Sequence, residues 1–348
     1  MPPTRPAPPA RTPALALALS FIGALWPATA RAGTIPPDYG FQWATITHPG
    51  NAPYQDNVGN PRLIGRVDSV YRISKTEVSA ADWAPFANAN FRIGDPWGTG
   101  LEAYFSQKLE VGPDGLRPRT DIPAGDRINM GSMSWYEAAR YCNWLHNNKA
   151  ETRAAMEYGA YDLRNLPPTG NPATPPTRLP GALFFLPTTD EWVKAVHFDP
   201  DRYGENQPGY WDYPYSSDTA PIPGPQGVGT TNAGYFPGGT DPLAFRVGAY
   251  ADVVTPWGLW DASGGVSEWL EEAYPGVIRG HGVEGEPSAG VFSFSPTLDH
   301  VLQTWSEPPT LRNYWVGFRI ASVPSTPTVG AIATCAVLFV GSRRREHR

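Results

Sequence analysis

Residues 257–269 read WGLWDASGGVSEW, the most informative stretch of the chain. It holds three Trp and three Gly in a short span, so bulky aromatic anchors stand beside positions where the backbone can turn freely. The rest of the sequence repeats this mixture, because 40 Pro and 36 Gly accompany 13 Trp, 16 Tyr and 14 Phe in 348 residues. Such a composition predicts a sizeable globular domain with an aromatic core and much irregular structure.

Several classes of protein are excluded by the same composition. Coiled coils and helical repeats need long runs of helix formers without breakers, and none occurs. The 41% of hydrophobic residues argue against disorder, and two Cys are too few for a disulfide scaffold. Between residues 33 and 341 the chain carries 20 Lys and Arg against 32 Asp and Glu, without a basic patch. Nucleic acid is therefore a poor candidate partner, whereas a metal cation is a reasonable one.

Both ends of the chain have the composition of targeting signals. Residues 1–32 combine a basic start, a short apolar run and an A-x-A exit, which predicts a secretory signal peptide. Residues 323–348 combine a Pro-containing linker, a short apolar helix and an Arg cluster, and they resemble a PEP-CTERM sorting signal. An exosortase-type enzyme cuts such tails, and a plain C-terminal anchor is the alternative. Either tail predicts an exported protein at the cell surface or outside the cell, membrane-anchored at least until the tail is processed.

Local signals predict three helices and three strands in the body. Capping boxes open the helices, and apolar residues follow at helical spacing: 79–82, 134–137 and 188–191. Strands are predicted over three stretches: 70–78, 183–186 and 314–321. Two stretches rich in Pro, Gly, Asn and Asp are predicted to be long surface loops: 165–181 and 200–242. No composition break divides the body, which predicts one domain.

Six motifs follow one another in the body: YRISKTEVS at 71–79, MSWYEAARYCNWL at 133–145, LPTTDEW at 186–192, TNA at 231–233, WGLWDASGGVSEW at 257–269 and GFRIA at 317–321. Together they resemble the formylglycine-generating-enzyme (sulfatase-modifying factor) superfamily. The resemblance implies a single domain over residues 33–322 of class α+β, with the irregular fold related to C-type lectins.

The resemblance also brings a specific chemistry into question. The oxidase members of the superfamily use two Cys that hold copper and react with oxygen, since Cu(I) needs thiolate ligands. Here the corresponding stretch, 279–317, contains no Cys, while Cys142 lies on the apolar face of a predicted helix and Cys335 lies in the tail. Copper and formylglycine production are therefore not expected. An enzyme with altered chemistry stays an alternative, with three side chains in place of the thiols: Arg279, His281 and Glu284.

Calcium is the cofactor that the resemblance supports. The residues that correspond to the first calcium site of the superfamily are Asn232, Ala233, Asp241 and Leu243. Those that correspond to the second site are Gly265, Val266 and Glu268, where Gly265 replaces the usual Asn and weakens the set. Oxygen ligands on loops suit this hard cation. The alternative is that Asn232 and Asp241 only shape loop turns.

The remaining candidates concern ligand binding. Four residues fall in or near segments that form the cleft of the superfamily: Trp257, Arg279, Trp305 and Tyr314. We expect Trp260 and Trp269 to be core residues instead. With the scaffold motifs intact and the redox cysteines missing, the sequence predicts an exported, non-catalytic domain that binds a peptide or a glycan. A surface component with a mechanical role is a further interpretation.

Overall fold

A computed structural model describes most of the body of the chain and supplies the geometry used below. The described residues are 35–55, 63–94, 108–122, 125–165, 176–235, 246–271, 281–285, 299–301, 305–307, 309–312 and 316–324. For 281–285 and 305–307 only the backbone is described. All of them belong to one compact unit, residues 35–348. The predicted signal peptide and most of the predicted sorting tail lie outside the described residues.

Helices begin where the sequence places capping boxes. Within the described residues the α-helices are α1 Ala80–Arg92, α2 Trp135–His146, α3 Arg153–Glu157 and α4 Thr189–His197. The three predicted boxes are complete, since the N-cap side chain accepts from the N3 backbone and the N3 acid accepts from the N-cap backbone. These reciprocal bonds satisfy donors that a helix start leaves open. The short helix α3 was missed by the sequence analysis, because five residues are too few to show a helical period.

Two four-stranded sheets form the frame of the domain. The first has the order β1-β4-β14-β7, with β1 Trp43–Ile46, β4 Tyr71–Ser74, β7 Phe184–Phe185 and β14 Ala321–Ser322. The second has the order β12-β11-β10-β13, with β10 Ser267–Trp269, β11 His281–Gly285, β12 Trp305–Glu307 and β13 Val316–Gly317. Strands β13 and β14 are three residues apart, so the chain between them connects the two sheets.

Three two-stranded ribbons complete the strand content of the described residues. They are β2 Tyr54–Gln55 with β3 Leu63–Ile64, β5 Leu109–Gly112 with β6 Gly115–Pro118, and β8 Phe198–Asp199 with β9 Gly209–Tyr210. Most strands have only two to four residues, and turns and bends make up much of the remainder. The predicted α+β class with little regular structure is confirmed.

The core is aromatic, as the composition predicts. Trp83 stacks on Tyr141 with ring centroids 5.4 Å apart, and the edge of Phe318 meets both rings. These contacts join α1, α2 and the connection between the two sheets. Helix α2 is buried on nearly all sides, including its polar residues. It therefore lies inside the domain rather than on its surface as an amphipathic helix, and the predicted buried position of Cys142 is confirmed.

Two predictions about local structure are wrong in part. The single strand predicted over 314–321 is interrupted, because Arg319 turns into the core between β13 and β14. The stretch predicted as a loop over 200–242 contains β9 within its described residues. No helix among the described residues is long and apolar enough to cross a membrane.

Candidate functional site

A buried ion pair joins the two sheets where the motifs at 257–269 and 317–321 meet. The Arg319 Nε donates to both carboxylate oxygens of Glu268, at 2.8 and 2.7 Å, and Trp192 Nε1 donates to Glu268 Oε2 at 2.6 Å. The side chains of Arg319 and Glu268 are 0% and 2% exposed. A pair this deep needs every charge compensated, because an unpaired buried charge costs several kcal/mol. The Glu268 carboxylate therefore stabilises the fold.

The glycine turn beside that pair is shaped by two side chains from elsewhere in the sequence. The backbone N–H of Gly265 donates to Asn232 Oδ1 at 2.9 Å, and that of Val266 donates to Glu77 Oε1 at 2.8 Å. Gly264 and Gly265 have φ of +81° and +75°. A Cβ on Gly265 would lie 2.3 Å from Glu77 Oε1, so only glycine fits against this carboxylate. The Glu77 carboxylate therefore occupies the space that a side chain at position 265 would need.

Glu77 and Asp261 are the acids with the most altered environment at this turn. Burial, followed by repulsion from Asp261 and Glu268, raises the pKa of Glu77 well above its usual range. Burial likewise raises the pKa of Asp261 to about 6, against the backbone N–H of Gly248 and the charge of Arg319. The sequence analysis missed both acids. No local pattern marks Glu77, because its partner Val266 lies 189 residues later in the chain.

These positions allow a test of the two calcium sets. In the second set both oxygens of Glu268 accept hydrogen bonds from Arg319 and Trp192, so this carboxylate does not fit as a calcium ligand. In the first set Asn232 Oδ1 accepts from Gly265 N, and Ala233 is buried beside it. Asp241 and Leu243 lie outside the described residues. Within the described ranges, no three or more His, Cys, Asp and Glu side chains group to hold a metal ion.

Exposed and partly exposed side chains lie around the turn that contains Gly258. We call this group the tryptophan surface and define it by four residues: His48, Lys75, Trp257 and Trp260. The His48 and Trp257 rings are 6.0 Å apart, and Lys75 Nζ lies 5.3 Å from the Trp260 ring centroid. Both indoles are half-buried, and His48 is exposed. The turn holds the indoles in place, because Trp260 N donates to Lys75 O at 2.8 Å.

The two Trp residues of this surface differ from what the sequence suggested. Trp257 was predicted to bind ligand, which stays a prediction, and its side chain is partly exposed. Its Nε1 is buried and has no acceptor among the described residues. Trp260 was predicted to be a core residue, and this is wrong, since its side chain is partly exposed beside Lys75. The core prediction for Trp269 is correct, because its side chain is 0% exposed.

The other predicted site residues are only partly described. His281 and Glu284 lie in β11, where their backbones pair with Glu307 and Glu268, and Trp305 lies in β12 opposite Val283. Arg279 and Tyr314 are outside the described residues. The backbone therefore brings β11 and β12 together at the edge of the second sheet, and the predicted convergence of these side chains stays a prediction.

A family match identifies the scaffold. The sequence matches the sulfatase-modifying factor enzyme 1-like domain family over residues 44–323. Among curated proteins none matches. The structure is similar to that of CarF, with 18% identity, a TM-score of 0.47 and coverage of 82% of this chain and 99% of that one. It is also similar to variable protein 1 of Treponema denticola, with 16% identity, a TM-score of 0.41 and coverage of 82% and 95%.

A third similar structure is that of PvdO from Pseudomonas aeruginosa, with 14% identity, a TM-score of 0.40 and coverage of 82% of this chain and 92% of that one. The family match extends from β1 to the end of the described residues and contains all six motifs. It also includes the glycine turn and the Glu268–Arg319 pair. This chain belongs to the sulfatase-modifying factor enzyme 1-like domain family.

Proposed function

We propose that this family member is an exported, non-catalytic domain that binds a glycan or a peptide through the tryptophan surface. The observation that carries the proposal is the pair of partly exposed indoles, Trp257 and Trp260, on one tight turn beside Lys75. Trp side chains that pack against the protein and also expose part of the ring to solvent are typical of binding surfaces. Because the turn fixes both rings, a ligand would not have to order them on binding.

The chemistry of this surface favours a glycan over a peptide. A sugar ring has an apolar C–H face that stacks on an indole, and its hydroxyl groups can reach donors and acceptors at the rim. Lys75 adds a cation within reach, which would attract a carboxylate or another anionic group on the sugar. The exposed ring of His48 closes one side of the surface and offers a second polar edge.

A glycan array probed with the full purified chain tests the proposal. We expect specific binding that Trp260→Ala reduces by about tenfold or more, because truncation of an aromatic anchor costs about 2 kcal/mol. Trp211→Ala is the matched control, since this half-buried indole contacts Asp199 and Arg202 instead. A peptide array with the same three proteins would assign the ligand to the other class. Equal losses in both variants, or no specific binding on either array, would contradict the proposal.

The lack of a cysteine pair is what argues against the oxidase activity. The sequence has two Cys, and Cys142 is buried in helix α2 with a pKa that burial raises well above its usual range. A buried thiol of this kind is a poor metal ligand and a poor nucleophile. Mass spectrometry of a sulfatase produced together with this chain tests the oxidase alternative directly. Conversion of its target cysteine to formylglycine would overturn the proposal.

Export is the second part of the proposal and rests on the sequence of the two ends. We propose that residues 1–32 direct secretion and that 323–348 hold the protein in the membrane until an exosortase-type enzyme cuts the tail. Fractionation of the producing cells, with mass spectrometry of both termini, tests this part. A cytoplasmic protein that still carries residues 1–32 would contradict it.

A further inference from the structure

The first and the last described residues of the chain meet at one buried side chain, that of Arg72. Its Nη1 donates to Asp38 Oδ1 at 2.6 Å, and its Nε donates to Val323 O at 3.2 Å. Arg72 lies in β4 and is 3% exposed, so both contacts belong to the folded domain. The segment that follows Val323 therefore starts from a fixed point of the domain.

Aromatic rings surround this fixed point. The ring centroids of Phe41 and Trp43 are 5.8 Å apart. The buried ring of Phe184 lies 6.1 Å from that of Trp43 and 5.5 Å from that of Tyr39. Val323 N donates to the carbonyl of the residue before Phe184 at 3.2 Å. The chain therefore leaves the domain directly beside these rings.

We call this region the exit surface and define it by five residues: Ile35, Tyr39, Phe41, Trp43 and Val323. Ile35 is 58% exposed, and the other four are partly exposed. The carboxylate of Asp38 beside it is paired with Arg72, and Lys149 Nζ lies 4.6 Å from the Tyr39 ring centroid. An apolar, aromatic surface with a cation at its rim suits the boundary between lipid headgroups and acyl chains, where Trp and Tyr are enriched.

The sequence after the exit surface leaves little room between the domain and a membrane. In the proposed function the tail is a membrane segment, and the present inference rests on that part of it. Three residues separate Pro324 from the apolar run 328–341, so the Cα atoms of residues 324 and 328 are at most about 14 Å apart. As a helix the 14 apolar residues would be about 21 Å long, whereas the hydrocarbon core is about 30 Å thick. With the Arg cluster 343–345 at the far headgroups, this deficit draws the linker toward the near interface.

We propose that the exit surface lies on the membrane that holds the tail and binds the boundary between its headgroups and acyl chains. The short linker supplies proximity, and the exposed parts of the rings supply apolar area that is removed from water on contact. The domain would then stand on the lipid in one orientation instead of turning freely above it. A second copy of the chain is the other occupant that such an apolar surface can have, and the experiment separates the two.

Fluorescence quenching by spin-labelled lipid tests the proposal. The chain is used with its tail intact but without residues 1–32, whose apolar run could itself carry Ile35 to the lipid. It is reconstituted in vesicles of phosphatidylcholine and phosphatidylglycerol, with a nitroxide near the headgroup end of some acyl chains. Cys335→Ser removes the thiol of the tail, and Cys142 is 0% exposed, so a fluorescent probe can be attached to Ile35→Cys alone.

A probe on Val228→Cys is the matched control, since Val228 is 78% exposed on a loop that contacts Tyr250 through Gly224. We expect the nitroxide lipid to quench the probe at position 35 and to leave the probe at position 228 unquenched. Equal quenching at both positions, or none at position 35 in vesicle-bound protein, would overturn the proposal. Energy transfer between probes at position 35 of two copies, without quenching, would overturn it too and assign the surface to a dimer. A chain that does not float with the vesicles would contradict the anchoring part of the proposed function, and this inference with it.

Discussion

Replacing Arg319 by Met tests the most important interaction of the fold. The guanidinium is 0% exposed and donates to both oxygens of Glu268 as well as to the backbone carbonyls of Ser74 and Trp260. Met has a similar length but no charge, so Glu268 would be left buried with only Trp192 as a donor. The substitution therefore removes the cation and leaves the anion in place.

The expected loss is large for a single substitution. Removal of one partner from a buried ion pair costs about 3–5 kcal/mol, a substantial share of the roughly 5–15 kcal/mol by which a domain is stable. The Tm should fall by on the order of 10 °C. Arg117→Met is the control, because Arg117 pairs with Glu110 at the surface, where such a pair contributes about 0–1 kcal/mol.

Urea unfolding followed by Trp fluorescence measures both effects, and a double variant makes the test specific. Glu268→Gln keeps an acceptor for Trp192 and removes the charge that Arg319→Met leaves unpaired. The double variant should therefore be more stable than Arg319→Met alone. If Arg319→Met is within about 1 kcal/mol of the Arg117→Met control in its free energy of unfolding, the buried pair does not stabilise the fold. The same follows if the double variant is no more stable than Arg319→Met.

Three further predictions follow from local geometry. His197 is buried, and burial lowers the pKa of its imidazole to about 3. The unfolded chain therefore binds the proton first as the pH falls below about 6.5. Urea unfolding at pH 7 and pH 5 should show that the free energy of unfolding of the wild type falls by up to about 1.4 kcal/mol per pH unit more than that of His197→Asn. Gly264→Ala should cost about 2–4 kcal/mol in the same assay, because its Cβ would lie 1.9 Å from Asn232 Oδ1 at a positive φ. Ser134→Ala should cost about 1 kcal/mol, since it removes the N-cap of α2.

Each of these three has an outcome that contradicts it. Equal pH slopes in wild type and His197→Asn would show that this imidazole is not held neutral. Gly181 has a similar φ of +87° with open space around it, so Gly264→Ala must cost clearly more than Gly181→Ala. A loss with Ser134→Ala that Ser134→Thr, which keeps the hydroxyl, does not largely restore would show that the hydroxyl acts in some other way than as a cap.

The helices could be predicted because their signals are local. Ser79, Ser134 and Thr188 each stand three residues before an acid, and this spacing alone satisfies the first turn. The short strands could not be delimited in the same way. Where β13 ends and β14 begins depends on Arg319, whose partner Glu268 lies 51 residues earlier in the chain. The strand propensities of residues 316–322 do not indicate that ion pair.

The site was predictable in part for a related reason. Motif order indicates which segments meet, and it predicted a binding role for Trp257, which belongs to the proposed binding surface, but it cannot show which side of a turn faces solvent. Trp260 was therefore assigned to the core, although Lys75 covers it at the surface. Glu77 and Asp261 were missed because the carboxylates become neighbours only when α1 and the glycine turn are packed together.

Calorimetric titration of the full chain with the best ligand from the glycan array measures directly whether the tryptophan surface binds that ligand. We expect measurable affinity in the wild type, an unchanged affinity in Trp211→Ala, and an affinity about tenfold or more weaker in Trp260→Ala. An unchanged Kd in Trp260→Ala, with the variant folded by circular dichroism, would contradict the claim that this family member binds its ligand through the tryptophan surface.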